Sequence, residues 1–284
     1  MRKTSHLGAG IPDVCRLGLA TRGNTHLEIS DVEHAIDRGV NYLNWCGKPN
    51  GMSEAIARLG VQRRSVAVAV QFQARTAEKA KREFARLLKE LQTDYIDIAT
   101  LYYVESEDEW RDIISEDGAW NMLKNAKKAG TLKMIGLTSH QRKLAAAWAG
   151  ERIPDQGSPS GTQHYLDMLM IRYNAAHRGA EQDVFPATRR LRIPVVTFTG
   201  LRWRALLKPT ADDPPGFGPP LAAECYRFCL SNPAVSVALT APNGRAELQA
   251  NLALLEDWGP MDEAAIKAIR NHGDRVRANT GEFW

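Results

Sequence analysis

The chain has 284 residues, 44% of them hydrophobic, enough for one large core, and (β/α)8 barrels typically run to about 250 residues. Its 37 Lys and Arg against 33 Asp and Glu give a formal net charge of +4 that is spread along predicted helices rather than clustered, which argues against a nucleic-acid or membrane partner. No apolar stretch follows the basic N-terminal residues and no run approaches the ~18 apolar residues that span a bilayer, so a cytoplasmic protein acting on a small molecule is expected.

In chain order, residues 15–21 read as a short strand, and a helical pattern over 31–38 stops at Gly39. The apolar run 40–43 is strand-like and leads into a polar turn holding Asn44, Cys46, Lys48, Pro49 and Asn50. Ser53 is expected to cap the next helix, with Glu54 as its first-turn acid. Further β-rich runs lie at 66–72, 95–103, 133–138, 166–173, 194–198 and 235–239. Helical patterns fall between them, for example at 77–91, 119–129 and 221–230, and a polar helix over 262–278 closes the chain. Strands alternating with helices imply βαβ units and a parallel sheet. With no linker and no Rossmann glycine fingerprint, this alternation predicts an α/β fold, a (β/α)8 TIM barrel spanning 1–284 as one domain. Two loops interrupt the spacing, 150–164, read as decoration, and 209–220. Four cysteines are scattered, and Cys225 and Cys229, four apart on a helical pattern, read as buried small hydrophobes; no metal site is expected.

The frame Gly39-Val40-Asn41-Tyr42-Leu43, then Gly51-Met52-Ser53-Glu54, Thr93 to Asp97, Gly136-Leu137-Thr138-Ser139, Tyr173-Asn174 and Glu247-Leu248-Gln249-Ala250-Asn251 resembles, over 16–255, the aldo-keto reductase superfamily. The resemblance implies an aldo-keto reductase-like barrel with its site at the C-terminal strand ends. It also implies NAD(P)-dependent hydride transfer to or from a small carbonyl or alcohol. The family's catalytic Asp, Tyr, Lys and His are all replaced: Asn44 stands at the Asp, Pro49 or Asn50 at the Tyr, Gln71 at the Lys and Tyr102 at the His. Exchanging acid and lysine together avoids an unpaired buried charge and leaves two amides able to hydrogen-bond each other. The candidate catalytic residues are therefore Tyr102, Asn44, Gln71, Lys48 and His140. Strand alternation points Tyr102 inward and Tyr103 away, and the Tyr102 phenol is a sluggish acid unless Lys48 or Arg172 lowers its pKa.

The cofactor half of the resemblance is better kept. It implies that Asn243, Arg245, Glu247 and Asn251 hold the adenosine end, that Phe198 stacks on the nicotinamide, and that Thr138, Ser139 and Asn174 hold its carboxamide, although Met170 replaces the family's Gln. Arg245 suits a phosphate, whereas Glu247 disfavours a 2′-phosphate; NADP(H) is placed ahead of NAD(H). His140 and His177 read either as acids and bases near neutral pH or as polar loop residues. Cys46 beside Lys48 reads as a buried thiol or an activated nucleophile. Arg172 binds an anionic substrate or pairs with Glu181. Three functions stay open: an oxidoreductase with a non-standard proton donor, a non-redox or redox-neutral enzyme on the same barrel, and an inactive nicotinamide-nucleotide sensor.

Overall fold

The computed structural model describes residues 1–22, 25–154 and 161–280. Eight parallel strands close into a barrel in sequence order: β1 (Leu17–Ala20), β2 (Tyr42–Trp45), β3 (Ala67–Phe72), β4 (Ile96–Leu101), β5 (Leu132–Ser139), β6 (Met168–Arg172), β7 (Val195–Phe198) and β8 (Val235–Thr240). The helices α1 (Ile29–Asp37), α2 (Gly51–Ala57), α3 (Ala77–Glu90), α4 (Glu107–Ile114), α5 (Ala119–Lys128), α6 (Arg142–Gly150), α7 (Ala180–Asp183), α8 (Phe185–Leu191), α9 (Ala222–Ser231), α10 (Arg245–Leu252) and α11 (Glu263–Thr280) follow or connect them. This is the (β/α)8 architecture that the alternation predicted. Among the described residues no helix is long and apolar enough to cross a membrane.

Both faces of each strand are covered, which is why β3 reads as an unbroken apolar run. Val68, Val70 and Phe72 pack outward with the helices, whereas Ala67 and Ala69 join Tyr42, Ile98, Met134, Met168, Val196 and Val237 in the barrel interior. Leu7, Ile11 and Val14 enter that interior cluster from a short antiparallel pair, Thr4–Ser5 with Val14–Cys15. The first predicted strand is thus split: residue 15 belongs to this pair, and the barrel strand begins at Leu17. Gly18 on β1 is required by close packing, since a Cβ there would lie 2.9 Å from Leu239 and from Val237 and 3.0 Å from Tyr42.

Two local expectations are corrected. The cap of α2 is Asn50, whose side chain accepts from the backbone N–H of Met52 and Ser53, while Ser53 reciprocates as an acceptor for the Asn50 N–H. Asn50 leads because its carboxamide sits one residue before the helix, where the first N–H groups are unsatisfied. Gly51 then fits where a Cβ would lie 2.1 Å from the Leu27 carbonyl oxygen. The second correction concerns 150–164, which is not only a loop: Arg152–Pro154 pairs antiparallel with Thr162–His164, and 155–160 lies outside the described residues.

The 209–220 segment is tied to α11. Asp213 accepts from Arg275 at 2.6 Å and from the Thr210 N–H at 2.6 Å, and the buried His272 ring bonds the Leu206 carbonyl at 3.0 Å. Low in the barrel wall, the fully buried Asp97 takes the Val68 N–H at 2.9 Å, Arg63 at 2.7 Å and Lys133 at 2.8 Å. The Asp-Tyr-Ile-Asp motif therefore supports the scaffold.

Candidate active site

At the C-terminal ends of the strands lies a cavity of about 350 Å³, where barrels of this kind place their sites. Its walls come from successive strands because alternate residues of each strand face inward. Asn44 of β2, Gln71 of β3, Tyr102 just after β4, His140 just after β5, Arg172 of β6 and Phe198 of β7 all line it. Of the five candidate catalytic residues, the structure gathers four. Lys48 is the exception: it is exposed, absent from the lining, and its carbonyl accepts from the Trp45 indole at 2.8 Å. The turn is folded around its own hydrogen bonds, which carries Lys48 away from the opening. Cys46 is likewise absent from the lining.

Asn44 and Gln71 do not bond each other. The Asn44 Oδ1 is buried with no hydrogen-bond partner, and Asn44 itself is 1% exposed. A buried amide oxygen left unpaired is costly, and the residue that carries it lines the cavity.

Tyr102 and Tyr103 both line the cavity, contrary to strand alternation. The strand ends at Leu101, and Tyr103 turns into left-handed backbone with φ of 50°, so the period of two no longer applies. Their rings lie 4.0 Å apart, the Tyr103 ring is 4.5 Å from His140, and His140 is 6.1 Å from Phe198. No cation lowers the Tyr102 pKa. Burial raises it, and the side-chain hydrogen bond with Tyr103 raises it further. His140 is oriented by Glu105, which takes its N–H at 2.9 Å and meets Nδ1 at 3.1 Å.

His177 is also in the lining, but it is no acid at neutral pH. Burial, then the charges of Arg172 and Arg202, push its pKa down to about 3, and an Arg202 guanidinium N–H donates to its Nε2. The sign of its effect on stability follows from this shift. The unfolded imidazole takes up a proton below its ordinary 6.5 while the folded one does not, so stability is intact above pH 6.5 and is lost as pH falls towards 3. Discounted for partial exposure, the loss should be about 1–2 kcal/mol by roughly pH 4.5. Thermal melts of wild type and His177→Gln across that range check it: the variant should show the flatter profile, and parallel profiles would contradict the assignment.

The predicted cofactor residues divide into two groups. Phe198, Glu247 and Asn251 line the cavity. Thr138, Ser139 and Asn174 are fully buried outside the lining, and their side chains serve the protein: Thr138 donates to the Met170 carbonyl at 2.8 Å, Ser139 accepts from the Gln141 N–H at 2.9 Å, and Asn174 donates to the Thr199 carbonyl at 2.8 Å. Asn243 and Arg245 are also outside it. Asn243 accepts from the His26 N–H at 2.9 Å, and Arg245 meets Asp31 at 2.6 Å and the Ser30 carbonyl at 3.0 Å. Glu247 pairs with Arg204. Asn251 donates to Thr240 at 2.6 Å.

Several lining residues escaped the sequence reading. Arg22 contributes an Nε that is buried without a hydrogen-bond partner. Thr199, Arg202, Trp203 and Arg204 line the rim, all with positive φ, in a left-handed turn whose glycine, Gly200, does not occupy any of the positive-φ positions. The only signal in the chain was the density of cations in 202–204.

The chain is similar to solved structures of aldo-keto reductase AKR11C1 from Bacillus halodurans, whose holo form has a TM-score of 0.72 at 16% identity over 96% of both chains. It is also similar to the glycerol dehydrogenase AKR11B4 from Gluconobacter oxydans, with a TM-score of 0.66 at 16% identity over 95% of this chain and 94% of that one. At such identities the likeness speaks for the fold. Among curated proteins, the "Uncharacterized oxidoreductase YrpG" of Bacillus subtilis (strain 168) is 23% identical over 211 residues, 65% of this chain, and the match spans 60% of that relative's length. The sequence model of the Aldo/keto reductase family matches residues 17–220, most of the barrel described above, and the chain belongs to that family.

Proposed function

We propose that this protein is a nicotinamide-dinucleotide-dependent oxidoreductase that interconverts a small carbonyl compound and its alcohol, with Tyr102 as the proton donor. The observation that carries the reading is the meeting of Tyr102, Asn44 and Phe198 in the lining of one cavity.

The residues present fit the cofactor. Phe198 offers an aromatic face, and Arg22, which lines the same cavity, suits an anion such as a pyrophosphate. Arg204 offsets the charge of Glu247, which reduces the repulsion expected against a 2′-phosphate; NADP(H) is the proposed form. Bound there, a reduced nicotinamide supplies a hydride to the carbonyl carbon.

Everything else falls to the chain. Tyr102 donates a hydrogen bond to the carbonyl oxygen and then its proton as the alkoxide develops. An alkoxide is more basic than a phenolate, so a phenol with a raised pKa still transfers downhill and stays protonated over the working range. Tyr103 holds the Tyr102 hydroxyl, and the ring of His140, fixed by Glu105, backs Tyr103. Asn44 and Gln71 border the substrate. Because the acid is not the family's usual one, simple aldehydes should be slow substrates.

Titration of intrinsic fluorescence tests the cofactor step, with Trp203 as reporter because it lines the cavity and is 51% exposed. Saturable quenching by NADPH below about millimolar is expected. A flat titration with both NADPH and NADH would refute it.

A further inference from the structure

Arg172 is the last residue of β6, half-buried, on the same inward face as Met168 and Met170, and its side chain opens on the cavity. An arginine in that place ordinarily has an acid beside it, because a buried guanidinium without one is costly. Among the described residues the neighbouring carboxylates are engaged elsewhere. Glu181 takes Arg270 and the Tyr173 hydroxyl, both at 2.6 Å; Asp183 takes Arg142 at 2.9 Å; Glu105 is held by His140. Among the described residues Arg172 has no ion pair, and the pairing with Glu181 expected from sequence does not form. Burial disfavours the charged form of Arg172 and Arg142 opposes it further, whereas Tyr103 and Glu105 favour it, and both Arg172 and Arg202 depress His177.

Resting on the oxidoreductase reading, we propose that Arg172 is a carboxylate receptor and that the substrate is an oxo-acid, its carboxylate held by the Arg172 fork while its carbonyl faces Tyr102. A planar guanidinium without an ion-pair partner among the described residues matches a carboxylate in two parallel hydrogen bonds, and the nearby guanidinium groups of Arg142 and Arg202 add to the attraction for an anion. Specificity for chain length then follows from the separation of Arg172 and Tyr102 across the cavity that both line. In the reaction the hydride and its electron pair go to the carbonyl carbon, the proton goes from Tyr102 to the oxygen, and the carboxylate is unchanged.

The test uses a series of oxo-acids of increasing length, each beside its methyl ester, with wild type, Arg172→Gln and Arg172→Lys. Wild type should prefer the acid of the fitting length by about 30-fold or more in kcat/KM, chiefly through KM; Arg172→Gln should bring the acid-to-ester ratio towards one, and Arg172→Lys should fall between. Binding of the preferred acid without cofactor, by calorimetry, gives a readout independent of turnover and should weaken by a similar factor in Arg172→Gln. Equal use of acid and ester by wild type would overturn the proposal while leaving the oxidoreductase reading intact. Acid binding that depends on Arg172, with no carbonyl reduced, would uphold the anion site and refute the oxidoreductase reading. A loss of NADPH affinity in Arg172→Gln equal to the loss for the acid would assign the anion to the cofactor and overturn it, as would preference for a phosphate-bearing carbonyl over every carboxylate.

Discussion

Tyr102→Phe is expected to lower kcat for carbonyl reduction by about 10²- to 10⁴-fold, the usual contribution of a positioned general acid, with NADPH affinity little changed. The phenyl ring keeps the packing against Tyr103, 4.0 Å away, so a lost proton donor is the main change. Tyr103→Phe should cost less, about 10-fold, because it removes a hydrogen bond to the donor rather than the donor itself. A negligible effect of Tyr103→Phe, which strand alternation alone would suggest, is no longer the expectation. Steady-state kinetics of both variants decide the matter. Equal losses, or unchanged kcat in Tyr102→Phe, would remove Tyr102 from the proton-transfer step.

The second large effect concerns the scaffold. Asp97→Ala leaves the guanidinium of Arg63, 8% exposed as a residue, without its acid, and leaves the Val68 N–H unpaired. Breaking such a group on one side costs about 3–5 kcal/mol. For a chain of this size that is a fall in Tm on the order of 10 °C. Asp97→Asn should lose less, since its amide oxygen still accepts from Val68. Asp97 lies five residues before Tyr102 and outside the cavity lining, so residual activity at low temperature should survive in both. A melting point within about 2 °C of wild type for Asp97→Ala would show that the charges are compensated by water instead.

The barrel was legible in the sequence because its strands are buried on both faces and so appear as continuous apolar runs, as in Val66 to Val70, separated by helices ending in glycine, as at Gly39. The inward set Asn44, Gln71, Tyr102 and Phe198 was legible for the same reason: strand periodicity and the family frame agree on it. The reading failed where the strands end. Tyr103 enters the cavity through left-handed backbone, and the turn from Thr199 to Arg204 repeats that conformation with residues that do not advertise it. It also failed for long-range pairing. Nothing local tells that Arg245 meets Asp31, that Glu247 meets Arg204, or that Glu181 belongs to Arg270 and leaves Arg172 free for another anion. Lys48 failed for a third reason, since the turn spends its polar groups on capping α2 and on the Trp45 indole.

The central claim is that hydride transfer survives in a site without the family's usual acid. The most direct measurement is mass spectrometry of the product formed from NADPH carrying deuterium on its transferable position, incubated with the protein and a panel of oxo-acids and aldehydes. The account predicts that the label appears on the former carbonyl carbon and that Tyr102→Phe slows its appearance by about 10²- to 10⁴-fold. NADPH that binds saturably yet leaves every carbonyl unlabelled would contradict it, and would make this barrel a binder of the cofactor that carries out no reduction.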